Sequence, residues 1–165
     1  QKASDSAEDY IKKAYEFSKI SGKDFPVKTR FLTLAQWVQM PNMQDEIRKE
    51  GLEDLAKYAK VWVEKYAPES EKFEFQKEIP QKARELNDKQ KEYLGKVAKE
   101  LGKDWDGEEL QKNLYEWSKE LNVPSKDAFA AIYLSLLGKT SGPKAGWIIL
   151  ENKEFARKRF EELGN

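Results

Sequence analysis

The chain contains neither cysteine nor histidine. The first absence excludes disulfide staples and thiolate chemistry, and with them the small secreted scaffolds that depend on disulfides. The second removes the side chain that most often serves as a general base near neutral pH, and the two together take away the commonest zinc ligands. Net charge is lacking as well, since thirty Lys and Arg balance thirty Asp and Glu. No molecule-wide field therefore draws nucleic acid or an anionic membrane, and any nucleic-acid site has to be local. No run approaches the roughly 20 consecutive apolar residues that span a bilayer. The N-terminus, with Asp5, Glu8 and Asp9, has no signal-peptide character. A cytoplasmic protein without a membrane partner is the expectation.

Catalytic signatures are equally scarce. No zinc-protease, paired-cysteine, serine-hydrolase, dinucleotide or phosphate-loop motif occurs. Glu108 with Glu109, and Glu161 with Glu162, are neighbours in sequence, but adjacent helical residues point in different directions, so both pairs read as solvated faces. No catalytic residue, metal site or cofactor is expected within these residues.

What is present is a globular, helical chain. Its 165 residues are 39% hydrophobic with twenty aromatics, too apolar for a disordered tail and long enough for one medium domain or two small ones. The apolar spacing is helical almost throughout, and only Phe73 to Phe75 alternates as a short strand would. The spacing predicts a first helix over 4–19, with Tyr10, Ile11, Ala14, Phe17 and Ser18 inward. Thr33 with Gln36 has capping-box spacing, and Pro41 ends that short helix. Asn42 is a candidate cap for the next, and Leu52, Leu55, Ala59, Trp62 and Tyr66 form a stripe expected to be core. Residues 67–80, with two prolines, read as an extended crossing. Beyond it Asn87 and Asp106 are candidate caps, Gly102 is a candidate helix-ending glycine, and Asp127 to Leu137, started by Ser125, is apolar on nearly every face. Gly138 closes that helix, Pro143 suits the first turn of the next, and Asn152 begins the last. The fold expected is all-α, a helical cage or bundle with at most one short extended segment. It divides into an N-terminal helical subdomain with linking segment, 1–79, and a C-terminal helical subdomain, 80–165.

Charge concentrates near the end. Between Leu137 and Arg159, six cations (Lys139, Lys144, Lys153, Arg157, Lys158 and Arg159) face two anions (Glu151 and Glu154), a local balance of 6 minus 2, or plus 4. The loop Lys139, Thr140, Ser141 and Gly142 supplies hydroxyls and amides ahead of a proline-started helix that carries Trp147. Proteins that read single-stranded RNA stack unpaired bases on aromatics and hold phosphates with Lys and Arg, and this segment has each kind of group. By spacing alone, Trp147 also fits the core beside Ile148 and Leu150. A weaker cluster, Lys23, Lys28 and Arg30 ahead of Phe31 and Trp37, pairs charge with aromatics whose spacing is that of a core.

The run from Leu136 through Gly138, Lys139, Thr140, Ser141, Gly142, Pro143, Lys144, Ala145 and Gly146 to Trp147 resembles the segment near the end of class I lysyl-tRNA synthetases. The stretches 58–75, 109–121 and 125–137 are similar to the same family, as are Tyr15 to Ser18 and Arg30 to Gln39. A more distant similarity links the final third to glutamyl-tRNA synthetases. The resemblance implies an α-helical cage that binds the anticodon loop of tRNA for lysine and discriminates its uridines. A separate Rossmann-type catalytic domain, with its ATP and Mg, would perform aminoacylation. It further implies Lys139, Thr140, Ser141, Pro143, Lys144 and Trp147 as anticodon contacts. From the local charge, Arg157, Lys158 and Arg159 are expected to grip backbone phosphates. Lys144 departs from the arginine expected there and offers a point charge instead of a bidentate fork. The reading is thus an RNA-binding module with no enzymatic activity and no DNA partner, whose other partner is its own catalytic domain. Its rival is a helical protein-interaction module that docks a partner chain.

Overall fold

Asn87 and Asp106 start two of the long helices by the same means. Each side chain accepts a hydrogen bond from the amide three residues on, Gln90 and Glu109 respectively, and the Gln90 side chain in turn accepts from the Asn87 amide to complete a capping box. The computed structural model describes residues 29–164, and Phe31–Asn165 cluster as one compact unit. The helix expected over 4–19, together with Lys23 and Lys28, lies outside the described residues.

Nine α-helices and no strand occur among the described residues. They are α1 (Phe31–Trp37), α2 (Gln44–Lys49), α3 (Glu53–Lys65), α4 (Gln81–Arg84), α5 (Asp88–Glu100), α6 (Gly107–Glu120), α7 (Ser125–Leu137), α8 (Ala145–Glu151) and α9 (Lys153–Gly164), with single 3-10 turns at Pro41–Met43 and Glu69–Glu71. α5 and α9 cross most intimately, backbone to backbone at Gly95 and Gly164, where a Cβ on Gly164 would fall 2.6 Å from the Gly95 nitrogen. α7 is the central helix: Ala128, Ala131, Ile132, Tyr133, Leu136 and Leu137 are all buried, as its nearly uninterrupted apolar sequence requires. Tyr93, Leu94 and Val97 of α5 and Leu110, Leu114 and Trp117 of α6 join the same core.

Several local expectations give way in the fold, Asn42 and Phe73 because distant partners hold them. α1 begins at Phe31, so Thr33 lies inside the helix and forms no capping box. Asn42 caps nothing; its amide side chain donates to the Trp147 carbonyl at 2.8 Å, and α2 starts from the 3-10 turn without a side-chain cap. Only part of the α3 stripe is core, because Leu52 and Ala59 are buried whereas Leu55 and Tyr66 are 38% and 72% exposed. Gly102 follows α5 without the left-handed backbone that makes glycine special there. Pro143 precedes the N-cap of α8, Lys144, instead of standing in its first turn. Phe73 to Phe75 is extended but pairs with no strand: the Phe73 amide bonds the Gln39 side chain, and the Gln76 amide bonds the Leu136 carbonyl. Residues 72–80 therefore form a strap laid across the end of α7.

Candidate nucleic-acid interface

The loop joining α7 to α8 is held from behind and open in front. Gly138 ends α7 in the left-handed conformation, with φ 68°, which turns the chain away from the helix axis without a Cβ penalty. Thr140 and Ser141 then face solvent, and Lys144 is exposed at the N-cap of α8. Gly142 lies on the Tyr133 ring, where an added Cβ would come within 2.8 Å of the ring carbon Cδ1. The Tyr133 hydroxyl donates to the buried Pro143 carbonyl at 2.6 Å. Burial pushes the Tyr133 phenol well above its ordinary pKa, so it remains a proton donor throughout the neutral range. Tyr133→Phe is therefore expected to cost about 1 kcal/mol and to speed amide hydrogen exchange at residues 144–148 relative to α5.

The basic residues of this region divide by what they touch. Lys139 is turned inward: its ammonium donates to the carbonyls of Glu69, Ser70 and Lys72 and stands 5.4 Å from the Phe73 ring centre. Arg159, expected to grip phosphate, is 5% exposed. Its guanidinium donates to the carbonyls of Gln76, Lys77, Glu78 and Ser135 at 2.8 to 3.2 Å. These bonds fasten the strap to the end of α7, and little of the guanidinium is left for a ligand. Arg157 lies between Glu154 and Glu161 at 3.1 and 3.0 Å, and Lys158 is exposed.

Trp147, expected as a stacking aromatic, is 7% exposed. Gly107 at the start of α6 sits on its indole, so close that a Cβ there would lie 2.5 Å from the ring carbon Cε2. The Lys144 ammonium stands 4.3 Å over the same indole on the outside. Next to it the Gly146 amide donates to the Gln111 side chain at 2.9 Å, and Asn42 reaches the Trp147 carbonyl from the 3-10 turn. The tryptophan is thus a packing anchor that places Lys144. Among the residues named from sequence, Thr140, Ser141 and Lys144 make one outward surface, Lys139, Pro143 and Trp147 support it from within, and Arg157 and Lys158 lie apart on α9.

Tyr133, Gln111, Gly107 and Asn42 build the loop's support and were not anticipated. Tyr133 reads from sequence only as an apolar residue of α7, and the other three lie 35 to 105 residues from their partners in the loop and α8. Beside the loop, a shallow groove of about 560 Å³ is lined by residues that include Gln76, Pro80, Lys82, Gly138 and Lys139. Among the described residues no cluster of acidic side chains could hold a metal ion, and no helix is long and apolar enough to cross a membrane.

Comparison with known proteins gives this geometry a context. A family model described as an anticodon binding domain matches residues 4–161. A lysine–tRNA ligase from Archaeoglobus fulgidus is 39% identical over 119 residues, which cover 71% of this chain and 23% of that protein. The corresponding ligase from Methanosarcina barkeri strain Fusaro is 31% identical over 188 residues, covering 94% and 35%, and that from Pyrococcus furiosus is 33% identical over 179 residues, covering 95% and 34%. The chain spans about a quarter to a third of the length of the curated relatives it matches.

Proposed function

This chain belongs to the anticodon-binding domain family, and on that premise we propose that it reads the anticodon loop of tRNA for lysine as the RNA-recognition part of a class I lysyl-tRNA synthetase. The observation that carries the proposal is the loop Thr140–Lys144. It presents two hydroxyls and one exposed ammonium outward while Tyr133, Lys139, Gln111 and Gly107 fix it from behind. Hydroxyls and a cation on a fixed backbone suit base edges and an adjacent phosphate. Aminoacylation, with its ATP and Mg, is then the work of a catalytic domain, and the surface of α1 and α3, with Leu32, Leu55, Tyr58 and Val61 exposed, is available for contact with it. In this reading the two halves divided at 79/80 have separate tasks: the C-terminal half presents the loop, and the N-terminal half supports the stem side of the RNA.

The test is a titration with a lysine anticodon stem-loop, and with one whose anticodon uridines are replaced, at two salt concentrations. Tighter, salt-sensitive binding to the first is expected. Lys144→Ala should weaken it and lower the slope of log affinity against log salt by about one, as loss of a phosphate contact does. Lys139→Ala should weaken it with the slope unchanged, because its ammonium serves backbone carbonyls. Equal affinity for both RNAs, insensitive to salt, would favour the protein-interaction reading instead.

A further inference from the structure

Burial of Trp147 leaves the loop without an exposed aromatic of its own, yet one lies a single helical turn away. Tyr115 of α6 and Phe129 of α7 stack with ring centres 4.5 Å apart and planes tilted by 40°, and Tyr115 remains 44% exposed. Both belong to the elements that hold the loop. Four residues before Tyr115, Gln111 receives the Gly146 amide; four residues after Phe129, Tyr133 holds the Pro143 carbonyl. Residues four apart share a helix face with Cβ atoms about 5–6 Å apart. The aromatic pair therefore continues the loop-bearing surface along both helices at once.

The charge around the pair also has a sign. Lys112 stands three residues before Tyr115 and Lys126 three before Phe129, each on the same helical face as its aromatic neighbour. Both are exposed and enter none of the ion pairs among the described residues, whereas Lys119, four residues after Tyr115, is paired with Glu116. An open aromatic ring between two exposed ammonium groups is what a single-stranded nucleotide uses, the base on the ring and its phosphates on the cations.

Resting on the anticodon-loop reading, we propose that Tyr115, backed by Phe129, is the stacking platform for one unpaired base of the bound RNA loop, with Lys112 and Lys126 along the path of its phosphates. The loop Thr140–Lys144 then supplies hydrogen bonds and the platform supplies stacking, two functions that sequence alone assigns to one segment.

The experiment uses the full 165-residue chain and an RNA hairpin of the lysine anticodon arm carrying the fluorescent base 2-aminopurine at each loop position in turn. The wild-type chain should quench one position by stacking. Tyr115→Ala should abolish that quench and weaken affinity about 5- to 150-fold, the range for losing one base–aromatic stack. Tyr115→Phe should keep both, and thermal melts should show all three proteins equally folded. If Tyr115→Ala binds and quenches like the wild type, the platform is wrong and the anticodon-loop reading stands. If Tyr115→Phe loses as much as Tyr115→Ala, the hydroxyl and not the ring makes the contact, and the platform is again wrong. A wild-type chain that binds no hairpin at all overturns both.

Discussion

Replacing Arg159 with methionine is expected to destabilise the fold by about 3 kcal/mol, enough to lower Tm by roughly 6–12 °C in a protein of this size. The figure follows from where the four bonded carbonyls lie. α7 ends with its last carbonyls short of partners, as every helix does. Leu134 is bonded by the Gly138 amide and Leu136 by the Gln76 amide, while the Ser135 carbonyl depends on Arg159. Ser135 is fully buried, so methionine would leave its carbonyl dry and unpaired. The carbonyls of Gln76, Lys77 and Glu78 belong to exposed residues and can regain water, so their loss costs less than three charge-assisted bonds in the interior would. Arg159→Lys should recover only part, because one ammonium cannot fork across both the strap and the helix. The same variants discriminate between fastening and RNA contact. If Arg159 acts through the strap, RNA affinity falls with the salt slope unchanged. An unchanged Tm together with a salt slope reduced by about one would restore Arg159 to the phosphate-gripping role expected from sequence.

Arg159 shows why some of this molecule was legible in its sequence and some was not. Periodicity and capping residues are local signals, and they located α5, α6 and α7 with the Asn87 and Asp106 caps and the Gly138 stop, since the partners lie within a turn of each other. The place of the loop, after the Gly138 stop and before α8, was legible for the same reason. A cation's destination is not local. Arg157, Lys158 and Arg159 are consecutive in one basic run, yet a helix sends them to different sides: one into an ion-paired ladder, one to solvent and one into the core against carbonyls more than twenty residues away. Net charge summed over the segment could not separate them. Asn42 failed in the same way, since its preference for a cap was outweighed by the Trp147 carbonyl, 105 positions away. Trp147 carried two readings that spacing could not rank, and the deciding fact is a glycine in another helix.

That glycine, Gly107, also meets Gly146 of α8, and the contact gives the second large expected effect. Gly146→Ala should destabilise the protein by about 2 kcal/mol, roughly 4–8 °C in Tm, although alanine is the better helix former by about 1 kcal/mol. The Cβ would stand 2.4 Å from the Gly107 carbonyl oxygen and 2.9 Å from the Gln111 nitrogen. Both are backbone atoms of α6, so no side-chain rotation relieves the overlap, and α8 has to move away. Movement stretches the Gly146 bond to Gln111 and lifts the Trp147 indole off Gly107, which should shift tryptophan emission to the red as water reaches the ring. RNA affinity should fall too, because Lys144 is placed by the same indole. Gly102→Ala is the control: it lacks a left-handed backbone and its nearest neighbour is the Lys99 carbonyl at an ordinary 3.5 Å, so its melting point should stay within about 0.5 kcal/mol of the wild type. Equal melting points for the two variants would mean that α8 rides freely on α6. The outward surface of the loop would then owe its position to Tyr133 and Lys139 alone, and the double variant Tyr133→Phe with Lys139→Met should abolish RNA discrimination in a chain that still folds.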